Sequence, residues 1–114
     1  MLEKLLQKLS ASPKLWEAFD APEKGVTCLY DMVDGQRAFL AAALAKKTGR
    51  PVLYVSPSEA QAMRAADDIS TWLPGSAAYM PSGEMNFTRG TASREGAFRR
   101  LSVLQHVYRG EVKV

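Results

Sequence analysis

One short turn, Tyr30-Asp31-Met32-Val33-Asp34-Gly35-Gln36-Arg37, lies between a run of strand character and a run of helix character, and it limits the fold more than any other stretch. In an α/β nucleotide-binding unit this is where a phosphate-cradling loop sits. Such a loop needs a first glycine for the tight turn, a lysine for the β/γ-phosphates and a hydroxyl for magnesium, in the frame G-x-x-x-x-G-K-[ST]. Only Gly35 falls into that frame: Tyr30 replaces the first glycine, Gln36 the lysine and Arg37 the hydroxyl. Backbone N–H groups at the helix start could still hold an anion. Asp31 and Asp34, however, place carboxylates where phosphate would lie and repel it, so a plain turn without ligand is expected.

The flanking pattern predicts an α/β fold. Leu2, Leu5, Leu6 and Leu9 recur at spacings of three and four, the stripe of an amphipathic helix ending near Ser10. Ser12-Pro13 can open a short second helix burying Leu15, Trp16 and Phe19, which Asp20-Ala21-Pro22 stops. Val26 to Tyr30 reads as a first strand, and Arg37 to Lys47 as an alanine-rich helix capped by Asp34 and closed by Gly49 and Pro51. Val52 to Val55 reads as a strand buried on both faces. A helix follows from a Ser56 or Ser58 cap to Trp72, then a weaker strand from Ser76 to Met80. Pro81 to Gly90 reads as a loop anchored by Met85 and Phe87, leading to a last helix that starts at Thr91 or Ser93 and ends near Tyr108. Phe98, Leu101, Leu104, Val107 and Tyr108 form its apolar side. Glu111 to Val114 opens a fourth strand. This order predicts a three-layer parallel sheet of about four strands with flanking helices, like a phosphate-loop nucleotidase without a working loop. Residues 1–24 form an N-terminal helical segment and 25–114 the α/β domain, a piece of a larger multidomain protein because the chain stops inside a strand.

Composition narrows the function classes. At 114 residues with 46% hydrophobic content, the chain fits one domain or part of one. A net charge of +3, without a block of like charges, does not by itself predict nucleic-acid binding. Cys28 is the single cysteine, so neither an intrachain disulfide nor a cysteine zinc cluster is available, and a cytoplasmic setting is expected. No apolar run approaches the roughly 18 residues of a membrane span, so no membrane partner is expected.

The remaining candidates are weighed residue by residue. Cys28 should be a small buried hydrophobe, with no cationic neighbour to activate it. His106 lacks a second histidine for a metal site, and no metal or cofactor is expected for this chain. Asp67 and Asp68 point about 100° apart on a helix and cannot converge on one substrate atom, so no catalytic residue is assigned. Arg89, Arg94, Arg99, Arg100 and Arg109 make the densest positive feature. They form either a contact surface for DNA or a partner's carboxylates, or a solvated face balanced by Glu84 and Glu95.

Three stretches occurring in one order resemble the N-terminal region of the bacterial transcription-repair coupling factor. They are the defective turn within Val26 to Leu44; Gly49-Arg50-Pro51-Val52-Leu53-Tyr54-Val55-Ser56-Pro57 with Glu59-Ala60 and Asp67-Asp68-Ile69; and Met80-Pro81-Ser82-Gly83-Glu84-Met85-Asn86-Phe87 followed by Arg100-Leu101-Ser102-Val103-Leu104. The family's stretch after the glutamate is Leu-Pro-Tyr-like, from which Asn86-Phe87-Thr88 departs. The chain is also similar to the first domain of the helicase subunit of the excision nuclease, which keeps an intact phosphate loop. The missing lysine and hydroxyl favour the coupling factor.

The resemblance implies a non-enzymatic structural and docking domain. Its parent would be a DNA translocase whose downstream motor uses ATP and magnesium to displace stalled RNA polymerase from damaged DNA and recruit nucleotide excision repair. Implied partners are the parent's other domains and, indirectly, the damage-recognition subunit, RNA polymerase and DNA. Two other readings stay open: a nucleotidase or helicase half-domain completed by a partner, and a DNA-binding module using the arginine-rich helix. Pairing of two copies through the last strand's edge is a further possibility for the isolated piece.

Overall fold

The computed structural model describes residues 1–9, 11–14, 17, 25–82 and 94–114. Among them are four helices: α1 (Leu2–Leu9), α2 (Asp34–Thr48), α3 (Glu59–Trp72) and α4 (Arg94–Tyr108). Pro13, Lys14 and Glu17 are helical, where the short second helix is expected to start at Pro13; its apolar residues Leu15, Trp16 and Phe19, and the loop around Met85 and Phe87, lie outside the described residues.

Helix ends follow local chemistry. Ser58 caps α3, its Oγ accepting from the Gln61 N–H at 3.3 Å. Gly49 closes α2 in the left-handed region, φ 65°, and returns its N–H to the Ala45 carbonyl at 3.0 Å. The start of α2 differs from expectation: the cap is Val33, and Asp34 is the first helical residue, where its carboxylate meets the positive end of the helix dipole.

The core is formed where α2 packs on α3. Ala38, Ala41, Ala42 and Ile69 are buried together, and Val52, Tyr54, Trp72, Leu73, Ala77 and Val114 pack against them. Alanines on α2 let the α3 backbone come close, since interaxial distance depends on the side chains at the contact. Phe39 meets Trp72 edge-on, ring centroids 5.0 Å apart, closing one end of the interface. Leu2 is buried as well, and Glu3 reaches Lys46 at 3.5 Å, which brings the start of α1 beside the end of α2.

The predicted three-layer parallel sheet is not formed: the described residues contain no strand and no sheet, and their regular structure is all helical. Extended segments meet through isolated backbone bonds, Val52 N–H to Lys113 O at 2.8 Å, Ala78 N–H to Val114 O at 3.0 Å, and Val114 N–H to Ser76 O at 3.0 Å. No ladder develops from them. A parallel sheet requires cover on both faces, and only one face is covered here. Val52 and Tyr54 turn toward the helices, whereas Leu53 and Val55 are exposed by 87% and 80%, against the expectation of burial on both sides. Val26 to Tyr30, expected to be the first strand, has no regular structure and is exposed throughout, Val26 by 93%. The last helix supplies no second layer, because none of its residues is buried. The radius of gyration, 16.2 Å, exceeds the roughly 13 Å of a compact domain of this length, in keeping with so much uncovered apolar surface.

Candidate functional site

The turn that carried the strongest sequence signal borders an open cleft of about 390 Å³ between the start of α2, the Tyr54-Val55-Ser56-Pro57 segment and α3. Leu29, Met32 and Leu40 contribute apolar surface to it; Asp34, Arg37, Arg64 and Asp68 contribute charge. Two arginines against two aspartates leave the cleft balanced, so it does not concentrate anions as a phosphate site must.

Local geometry explains what replaced the loop. Asp31 takes a positive φ of 57°, a conformation that aspartate tolerates better than most side chains, and this reverses the chain before Val33. Gln36, in the lysine position, folds back so that its Oε1 accepts the Val33 N–H at 3.1 Å, one half of a capping box. Backbone N–H groups of Gln36 and Arg37 donate to the Val33 carbonyl at 3.0 and 3.1 Å, so these donors are spent inside the turn. Arg37, in the hydroxyl position, reaches Asp34 at 3.3 Å. Both partners are more than half exposed, and such a pair contributes little to stability. Gly35 lies in the first turn of α2, and Tyr30 is 81% exposed. In this turn the amides of Gln36 and Arg37, the lysine and hydroxyl positions of the degenerate frame, are both bonded to the Val33 carbonyl.

The arginine cluster is divided. Arg99 is engaged by Glu95 at 2.9 Å, and Arg100 is half-buried with Nη1 donating to the Pro81 carbonyl at 3.4 Å. Arg94 is exposed elsewhere on the helix, and Arg89 lies outside the described residues. The expected single face therefore separates into individual arginines with different partners.

Cys28, expected to be buried, is exposed. Val26 and Tyr30 on either side of it in the chain are exposed as well. Asp68 lines the cleft while Asp67 does not, as their divergence on the helix requires. His106 pairs with Glu111 at 2.5 Å, and this contact holds the Glu111 carboxyl below its usual range. Among the described residues no cluster of His, Cys, Asp and Glu suits a metal ion, and no helix is long and apolar enough to cross a membrane.

Sequence reasoning missed one tie. Glu59 accepts from both the backbone N–H and the hydroxyl of Ser82, at 3.1 and 2.5 Å, and these bonds lower its pKa. Tyr79 is raised, first by burial and then by the Glu59 charge. From the sequence Glu59 stands only at the start of a helix capped by Ser56 or Ser58, and its reach to a residue far along the chain is not legible.

No family model, no curated protein and no solved structure matches this chain.

Proposed function

We propose that this chain is a non-catalytic docking domain of the transcription-repair coupling factor type, built on a turn that has lost nucleotide chemistry. The observation that carries the reading is the use of Gln36: the side chain standing where a phosphate loop keeps its lysine is the cap of α2, bonded to the Val33 N–H. A capping glutamine and an arginine tied to Asp34 leave neither a β/γ-phosphate cation nor a magnesium hydroxyl. The order of short motifs, ending in Arg100-Leu101-Ser102-Val103-Leu104, supports placing the domain in a parent that uses ATP elsewhere to displace stalled RNA polymerase and recruit excision repair. Extensive exposed apolar surface, on Leu53, Val55 and the α4 side chains, suits a domain whose work is contact with other domains or proteins.

Isothermal titration calorimetry of the chain with ATP and magnesium tests this. The expected result is no saturable heat at micromolar nucleotide; clear saturable binding overturns the reading. The double substitution Gln36→Lys with Arg37→Thr is expected to gain no ATP binding, because Tyr30 still lacks the conformational freedom of the first glycine. A gain would favour the half-domain alternative.

A further inference from the structure

Helix α4 touches the rest of the chain along one narrow stripe. Its half-buried residues are Gly96, Arg100 and Val103, four and three apart in sequence. Rotated away from them are Phe98, Leu101, Leu104 and Tyr108, exposed by 67%, 61%, 50% and 93%. At about 100° per residue, Arg94, Phe98, Leu101 and Tyr108 share one face. Single exposed apolar residues are ordinary on any surface; a row of them along a helix marks a contact face.

Charge selects the occupant. Arg99 is engaged by Glu95 and Arg100 is turned back to the Pro81 carbonyl, so neither is directed along the apolar row. Arg94, one turn before Phe98, and Arg109, directly after Tyr108, place a cation at each end of the row, about 22 Å apart along the axis. Glu111 is bonded to His106 and also feels the Arg109 charge, so Arg109 is partly compensated within the chain while still ending the row. A second copy laid antiparallel would set Arg94 against Arg109 of its mate, and a parallel copy would set each arginine against itself. Both arrangements oppose like charges. A helix with apolar anchors at i, i+3 or i+4 and i+7, and with Asp or Glu at its two ends, satisfies the apolar row and both cations. Resting on the docking-domain reading, we infer that the Phe98 to Tyr108 face of α4 binds an acidic amphipathic helix of a partner protein, with Arg94 and Arg109 engaging its acidic ends.

The test is fluorescence anisotropy of the full chain with a synthetic labelled amphipathic peptide of about five turns, bearing leucines on one face and glutamates at both ends. Saturable binding is expected, weakening with salt, and a version with lysine in place of glutamate should bind at least about tenfold more weakly. Leu101→Asp should lose about tenfold or more, and Arg94→Glu combined with Arg109→Glu should reverse the peptide preference. All three positions are exposed, so the variants retain the helical circular dichroism of the parent chain. Equal binding of the two peptides, or indifference to these substitutions, overturns the proposal. So does binding of duplex DNA or anionic phospholipid vesicles in place of the acidic peptide, or a dimer in sedimentation equilibrium that Leu101→Asp breaks without peptide binding. Failure here with no binding of ATP removes the partner assignment alone; saturable ATP binding removes the docking-domain reading itself.

Discussion

Ile69 is 2% exposed and is the largest fully buried side chain among the described residues, at the centre of the α2–α3 contact. Replacing it with alanine deletes three carbons, which at about 0.8 kcal/mol each loses about 2.4 kcal/mol of transfer free energy. A cavity adds to this at roughly 24 cal/mol per Å³ of space left unfilled. Here the surroundings can partly collapse, because Ile69 borders an open recess of about 270 Å³ beside Ala62, Ala66 and Ala77. The expected cost of Ile69→Ala is therefore about 2–3 kcal/mol, toward the lower end of such substitutions. Urea unfolding followed by far-ultraviolet circular dichroism should show the midpoint falling by roughly 1–2 M at an unchanged slope. Leu101→Ala is the internal comparison: on the exposed face of α4 it should change stability by no more than about 0.5 kcal/mol. An Ile69→Ala cost below about 0.5 kcal/mol, or a Leu101→Ala cost equal to that of Ile69→Ala, would refute the placement of the core between α2 and α3.

Three further outcomes follow from the same geometry. Gly49→Ala should cost about 1–2 kcal/mol, because φ 65° strains any residue with a Cβ although nothing lies within 4 Å of the added atom; thermal unfolding measures it. The Ser82 hydrogen bonds lower the Glu59 pKa from 4.5, so their contribution is fully present above that value and is lost as pH falls through the lower folded-state value. A melting-temperature profile from pH 7 to 3 should accordingly be less steep at its acid end in Ser82→Ala, and an identical profile would contradict the tie. The Cys28 thiol should react with a disulfide reagent in the native chain as fast as in the urea-unfolded chain, whereas protection in the native state would restore the buried-strand expectation.

Helices were legible because their signals are local. Ser58, Gly49 and the leucine spacing of α1 each act within a turn or two, so boundaries read from the chain lie within a few residues of those observed. Strands were not, since strand propensity expresses fit to a half-buried pleated surface and depends on partners that the local sequence does not name. Val26 to Tyr30 has the composition without the partner, and its exposure is the result. Val52 to Val55 has one covered face, which a run of apolar residues cannot distinguish from two. In the candidate site, the loss of lysine and hydroxyl was readable by position, yet the task that Gln36 took instead required geometry. The division of the arginines was half readable: Glu95 to Arg99 is an i,i+4 pair, while the bond from Arg100 to Pro81 spans a loop.

The central claim is that the turn before α2 caps a helix and does not receive nucleotide. Amide chemical shifts of Gly35, Gln36 and Arg37, followed by two-dimensional NMR of the labelled chain during titration with ATP and magnesium, test it residue by residue. The account predicts that these three amides stay in place up to millimolar nucleotide, with the Val33 amide equally unmoved because its N–H remains bonded to Gln36. Saturable shifts at Gly35 and Gln36 at micromolar nucleotide would contradict it.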